Sequence, residues 1–312
     1  MISFIIPAFN EEGVIGNTIK AINQHCLYDD KEVIVVDNGS TDKTSSEATS
    51  LGARVLSKQG GTIASVRNYG VSKSKGDILI FIDADVILTE EWQNNINAQI
   101  EQLRLSPYQV TGSRCHPPNN GNWFNVHWYQ HMTTQTTSYI NSGHLITTKL
   151  LFDKVSGFTE SLKTAEDYDF CQKALASNAT ITPNFNLVTI HDGYPKSLKH
   201  FIQRERWHGK EDFQSFKTTL SSKVAIIAII NLMLFIASVI YSIYTFDITG
   251  CIFYILIMTA ISMALTVIKF KRISMSMLSH SSAIHFIYIW GRSLALLDRL
   301  FNTKINRFRE QG

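Results

Sequence analysis

From residue 1 to about residue 85, short and wholly apolar runs alternate with stretches whose apolar residues recur at helical spacing. Ile2–Ile6 predicts a buried strand that runs straight into a turn at Pro7. Between Glu11 and Asn23 the apolar residues Val14, Ile15, Ile19 and Ile22 share one helical face, with Asn10 placed to cap it. Val33–Val36 is apolar throughout, like strands buried on both faces of a parallel sheet. The polar turn Asp37-Asn38-Gly39-Ser40-Thr41-Asp42 leads into a second helix. Ala53–Leu56 predicts another strand, Ile63–Lys73 a helix and Ile78–Ile82 a fully apolar strand. This alternation predicts βαβ units and an α/β fold, a mostly parallel sheet flanked by helices. Ligands of such sheets bind beyond the carboxyl ends of the strands. Here the three most apolar strands end in Asn10-Glu11-Glu12, Asp37-Asn38 and Asp83-Ala84-Asp85.

Residues 109–192 are less regular. Arg114–Asn125 reads as loop, Leu150–Val155 and Asp167–Ala176 as helices, and Leu187–Ile190 as a short strand. Ser197–Phe216 is basic, aromatic and amphipathic. Then come two apolar runs, Val224–Ile243 and Gly250–Ile268, each of the roughly 20 residues that a bilayer core demands of a helix. Lys217 and Lys223 precede the pair, and Lys269, Lys271 and Arg272 follow it. That asymmetry places both outer ends, and the bulk of the chain, in the cytoplasm. The bland alternative is a buried helical hairpin of a soluble protein. A third segment, Ala283–Leu297, carries His285 and Arg292 and suits an interfacial or re-entrant helix better than a full span. The basic tail Arg299–Arg309 suits anionic headgroups.

Composition sharpens this split. The chain of 312 residues is 45% hydrophobic and 18% charged, yet residues 224–268 hold a single charged residue, Asp247. Intrinsic disorder and a fibrous protein are excluded. A net charge of +3, with no basic stripe among aromatics, gives no footprint for nucleic acid. Cys26, Cys115, Cys171 and Cys251 stand far apart, which argues against a disulfide framework or zinc ribbon and for a reducing compartment. Met1–Phe9 lacks a basic leader and is interrupted by Pro7, so it reads as a strand rather than a targeting signal.

Asp83-Ala84-Asp85 is the sharpest chemical feature. Two carboxylates one residue apart, past a buried strand, can present oxygens to Mg²⁺ or Mn²⁺, cations commonly shared with substrate phosphates. Together with Pro7-Ala8-Phe9-Asn10-Glu11-Glu12, Val35-Val36-Asp37-Asn38-Gly39-Ser40-Thr41-Asp42, Val66-Arg67-Asn68-Tyr69-Gly70, Lys75-Gly76-Asp77, Ser156-Gly157-Phe158 and Glu166-Asp167-Tyr168-Asp169, it resembles the family 2 (GT-A fold) glycosyltransferases. The resemblance covers residues 1–215, leaving 216–312 as a membrane region with helices at about 224–243 and 250–268 and the segment 283–297.

The resemblance implies transfer of a sugar from a nucleotide-diphosphate sugar, with UDP favoured. Pro7 and Phe9 would line the base pocket, Glu11 would lie near the ribose, and Asp37 would accept from the base, unless it merely forms an Asx-type turn. Arg67 would approach the diphosphate or serve as a salt-bridge partner. Asp83 would bind ribose or a metal-bound water, Asp85 the metal itself, and His191 would complete the metal shell. Asp167, ahead of Glu166 and Asp169, would be the base that deprotonates the acceptor hydroxyl, giving inversion. Ser156 replaces a glycine that the family often carries before the Phe.

Gln203, Arg206 and Trp207 have the QxxRW spacing of processive polysaccharide synthases, where they gather around acceptor and diphosphate; an amphipathic interfacial helix is the alternative. Trp123, Trp128 and Tyr129 read as an acceptor-facing surface, preferred to a metal pair at His127 and His131. The expectation is a multi-pass membrane enzyme with a cytoplasmic catalytic domain and a membrane-held glycolipid or saccharide acceptor. Its rivals are a processive synthase and a catalytically silent nucleotide-sugar-binding subunit of a membrane complex.

Overall fold

Strands form where the sequence runs apolar and branched. The structure is a computed structural model and describes residues 1–133, 135, 138–162, 164–271 and 274–301. Arg272 and the tail from 302 to 309, to which the sequence assigns a membrane-surface charge, lie outside the described residues. The chain divides into two units, Met1–Pro118 with Met132–Gly193, and Asn119–His131 with the chain from Tyr194 onward.

The first unit runs β1 (Ile2–Ala8), α1 (Ile15–His25), β2 (Lys31–Asp37), α2 (Thr44–Ser50), β3 (Arg54–Ser57), α3 (Ile63–Lys73), β4 (Ile78–Ile82), β5 (Val86–Leu88), α4 (Glu90–Leu105) and β6 (Gln109–Gly112). It continues with β7 (His144–Thr148), α5 (Lys149–Lys154), α6 (Glu166–Ala176), β8 (Thr180–Pro183) and β9 (Thr189–His191). A seven-stranded sheet runs β3-β2-β1-β4-β7-β6-β8. The β3-β2-β1-β4 portion is parallel, β7 enters antiparallel to both β4 and β6, and β8 is parallel to β6. The sheet is thus mostly parallel and flanked by helices, as its spacing predicts. Pro7 sits in central β1 without breaking a ladder, because pairing with β4 ends at Ile5. Ile2, Phe4, Ile6, Ile78, Ile80 and Ile82 pack into one buried cluster, and Ile5, Leu79 and Phe81 into a second.

Two of the differences from the sequence reading have a clear local cause. Helix α1 begins at Ile15, with Val14 at its N-cap and no side-chain cap there. Asn10 takes φ 56° instead, a left-handed conformation that Asn tolerates, and its Oδ1 accepts from the Thr41 amide at 2.8 Å. Strand β7 has no alternating pattern because all five of its residues are buried. His144 is tolerated there because its Nε2 accepts from Trp92 Nε1 at 3.0 Å and Ser113 Oγ lies 2.8 Å from its Nδ1. Burial lowers its pKa to about 3.

The second unit contains a π-helical turn (Asn125–Tyr129), α7 (Leu198–Asp212), α8 (Phe216–Ser221), α9 (Lys223–Thr245), α10 (Thr249–Phe270) and α11 (Met275–Leu300). Helices α9 and α10 are long and apolar enough to cross a membrane. Helix α11 is longer than the expected 283–297, because Ser274 caps it by accepting from the Met277 amide at 3.2 Å. A polar seam holds α11 to the hairpin. Asn231 Nδ2 donates to Ser293 Oγ at 3.0 Å, Tyr254 Oη donates to Asn231 Oδ1 at 2.8 Å, and Thr266 Oγ1 lies 2.7 Å from His285 Nδ1. The Ser293 and His285 contacts reach α9 and the later part of α10, and Ile289 of α11 packs with Tyr254 and Met258 of α10. Cys26, Cys115, Cys171 and Cys251 form no disulfide, and the first three are buried.

Candidate active site

The loops that follow β1 and β2 are laced together. The Asn10 amide donates to Ser40 Oγ at 2.8 Å, the Glu11 amide to Thr44 Oγ1 at 2.7 Å, and the Lys43 amide to Glu12 Oε2 at 2.8 Å. Pro7, Phe9 and Glu11 are half-buried on this rim. Asp37 closes β2 and accepts from the Ser40 amide at 3.0 Å, from Ser40 Oγ at 2.5 Å and from Ser45 Oγ at 2.9 Å. The Asx-type turn is therefore formed, with Asp37 shaping the rim it belongs to.

Past β4, the Asp83-Ala84-Asp85 turn is pinned from two sides. Thr18 Oγ1 of α1 donates to the Ala84 carbonyl at 2.7 Å, and the Asp83 amide lies 3.4 Å from the Gly143 carbonyl. Strand β5 then pairs antiparallel with β9, setting Val86 opposite His191. Asp85 Oδ1 consequently lies 3.4 Å from His191 Nε2. Burial pushes the Asp85 carboxyl up, opposed by His191 and reinforced by Asp83 and Asp192. Such a site favours added positive charge. Gly193 leaves it open, since a Cβ there would lie 2.3 Å from Asp85 Oδ2 and 2.6 Å from His191 Cε1. Among the described residues no three His, Cys, Asp or Glu groups gather into a complete cage. One carboxylate and one imidazole suit a cation that takes its other oxygens from phosphate and water.

Arg67, on α3, is the buried centre of the acidic groups. It is 1% exposed, with Nη2 2.6 Å from Asp83 Oδ1 and Nη1 2.7 Å from Glu166 Oε1. Glu166 and Asp167 form the first turn of α6, entered through Ala165 at φ 60°. Glu166 also accepts from Ser142 Oγ at 3.3 Å. Among the described residues Asp167 accepts backbone amides alone, from Tyr168 at 2.7 Å and Ser142 at 3.3 Å. Burial, and then the neighbouring Glu166 charge, raise its pKa. Asp169 turns to Thr159 Oγ1 at 2.6 Å and Lys173 Nζ at 3.3 Å. Upstream, Ser156 at φ 60° adopts the left-handed conformation that glycine takes more easily, followed by Gly157 at φ 63°. Ser142 and Gly143 went unread in the sequence; Asn141-Ser142-Gly143 carries a turn composition and nothing more specific.

The remaining predicted residues lie in the second unit, on α7. Arg206 forms a two-point ion pair with Asp298 of α11. Gln203 lines a concavity of about 590 Å³ with Leu198, Lys199, Ile202 and Arg206. Trp207 meets His208 edge-on at 4.9 Å. The acceptor-facing surface read at Trp128 and Tyr129 is not exposed. Both rings are buried, and Lys269 Nζ sits 3.6 Å above Trp128. His127 stacks on His280 at 4.2 Å, within a π-helical turn that lacks the α-helical spacing the metal pair required.

A mostly parallel sheet with flanking helices, and acidic turns beyond its strand ends, define a GT-A-like α/β protein. Residues 3–158 match the model of glycosyl transferase family 2, and the chain belongs to that family. It is 28% identical over 196 residues to an uncharacterized glycosyltransferase of Rickettsia typhi, covering 56% of this chain and 58% of that one. It is 39% identical over 96 residues to glucosyl-3-phosphoglycerate synthase of Mycolicibacterium paratuberculosis, covering 28% and 29%. The chain thus spans less than two thirds of these curated relatives. A mannosyltransferase from Pyrobaculum calidifontis, solved in complex with GDP-Man and Mn²⁺, shares the fold with a TM-score of 0.62 at 16% identity, over 97% of this chain and 88% of that one. S. aureus TarS 1-349 in complex with UDP-GlcNAc does so with a TM-score of 0.50 at 17% identity, over 99% and 97%.

Proposed function

We propose that this chain is an inverting glycosyltransferase that moves a sugar from a nucleotide-diphosphate sugar, a UDP-sugar by preference, to a glycolipid or polysaccharide-precursor acceptor held at the membrane. The observation that carries the reading is the division of labour at the start of α6. Glu166 is committed to Arg67, whereas Asp167, among the described residues, accepts only two backbone amides and holds a proton more readily than an ordinary Asp. A carboxylate of that kind is equipped to take the acceptor hydroxyl's proton as the oxygen attacks the anomeric carbon. Attack opposite the departing diphosphate inverts the anomeric configuration. Pro7, Phe9, Glu11 and Asp37 would form the rim for base and ribose, with Asp83 towards the ribose. Asp85 and His191 would hold Mg²⁺ or Mn²⁺, which when bound supplies positive charge for the diphosphate. The Mn²⁺ and nucleotide sugars bound by the structural neighbours support that assignment.

The two apolar helices support membrane attachment, and the lysines at their outer ends favour a cytoplasmic catalytic unit. Confinement to the bilayer raises the effective concentration of an acceptor tethered there. Arg206 is occupied by Asp298, which favours a packing role for it and single-sugar transfer over processive synthesis.

The test is turnover of a panel of nucleotide sugars by membranes carrying the chain, with and without EDTA, beside Asp167→Asn. One donor should be turned over in an EDTA-sensitive way, and the acceptor should be extended by a single sugar. Asp167→Asn should lose about 10²–10⁴-fold in kcat while still binding that donor. Donor binding without turnover under any acceptor mixture would make this a silent binding subunit, and polymeric product would make it a synthase.

A further inference from the structure

Arg67 bridges two acidic turns that the sequence keeps far apart. From α3 it reaches Asp83, past β4, and Glu166, at the start of α6, at 2.6 and 2.7 Å. Both terminal nitrogens are committed to carboxylates, the third nitrogen, Nε, is buried without a partner, and the residue is 1% exposed. A guanidinium enclosed in this way presents no free fork to a phosphate. We propose that Arg67 is a positioning residue: it ties Asp83 to Glu166 and fixes where the Glu166 carboxylate stands against Asp167, and it does not bind the diphosphate.

The inference rests on Asp167 as the base. Several groups face that carboxylate. Glu166 lies beside it on α6, Arg67 approaches from α3, Tyr139 stands on the segment before β7, and Cys171 lies one turn further along α6. Burial and Glu166 raise its pKa, while Arg67 pulls it down. Removing the Arg67 charge leaves Glu166 unopposed, so Asp167 should keep its proton to higher pH. Removing the Glu166 charge should do the reverse. A diphosphate ligand would behave differently: its loss would weaken donor binding and leave the proton balance at Asp167 alone.

The experiment uses the full chain in membranes with its identified donor and acceptor. Donor affinity without acceptor, and kcat against pH, are measured for wild type, Arg67→Gln, Glu166→Gln and the double variant. Arg67→Gln should move the acid limb of kcat up by about one pH unit, with donor affinity weakened less than about tenfold through the loosened Asp83. Glu166→Gln should move that limb down, and the double variant should return it towards wild type. Donor affinity weakened about tenfold or more in Arg67→Gln (roughly 1.4 kcal/mol), with an unmoved limb, overturns the proposal and leaves the transferase standing. If Arg67→Gln does not fold, Glu166→Gln decides alone, and an unmoved limb there overturns the proposal. A wild type that binds donor and never transfers overturns the base assignment, and this inference with it.

Discussion

If Asp85 and His191 hold the proposed metal, His191 and Gly193 constrain its position in a way that Asp85 alone would not. The Gly193 amide donates to His191 Nδ1 at 3.1 Å, so in this tautomer the ring proton lies on Nε2, towards Asp85. A cation on Nε2 and that hydrogen bond are alternatives, which makes His191 the weaker ligand of the two. His191→Ala is therefore expected to weaken Mn²⁺ binding by about tenfold, and Asp85→Asn to abolish it, both read from the electron spin resonance of titrated Mn²⁺. Gly193→Ala should behave like Asp85→Asn, because the added methyl occupies the space between both groups. A Gly193→Ala protein that binds Mn²⁺ like wild type would show that the glycine is no cradle. The sequence points to Asp83, Asp85 and Asp167 because each sits in a short motif beside a strand or helix end. It does not point to the partners of Arg67, since these carboxylates lie 16 and 99 positions away and neither separation leaves a local pattern.

Helices α7 and α11 show what the sequence conveys about an element and what it withholds. The apolar lengths of α9 and α10 were plain, since a long run free of charge has few readings. The span of α11 was obscured by its serine-rich first turns and by charges that are used inside the second unit. Arg292 meets Glu205 and Asp212, each at 3.0 Å, and Glu205 is buried. Replacing Arg292 with Met would strand both carboxylates, at an expected cost of about 3–5 kcal/mol, read as a lowered thermal midpoint in detergent. An unchanged midpoint would mean that apolar packing and the Arg206–Asp298 pair suffice to hold α11 to α7. Strand β7 was missed for a related reason: burial on both faces removes the alternation by which strands are read.

For the whole molecule, averaged composition was the least informative level of the sequence, because an ordinary mean conceals a long charged part and a shorter apolar part. The apolar part leaves Ile240, Phe253 and Phe246 exposed at 61%, 59% and 98%, which calls for a nonaqueous cover. If that cover is a bilayer and the lysine-bearing ends are cytoplasmic, the turn around Phe246 and Asp247 lies on the opposite side. Phe246→Cys in intact cells should then react with a membrane-impermeant maleimide, whereas Leu220→Cys should react only after permeabilisation. The reverse pattern would invert the proposed orientation.

The native thiols bear on more than folding. Burial pushes Cys115 up to about 12 and Cys171 up to about 11, and Cys26 is raised in the same direction. Alkylating agents attack the thiolate, so these three buried thiols of the first unit should react slowly with them. Only Cys251 is partly open. A single cysteine placed by design would therefore be read chiefly against Cys251, and replacing that one residue readies this chain for a spectroscopic reporter.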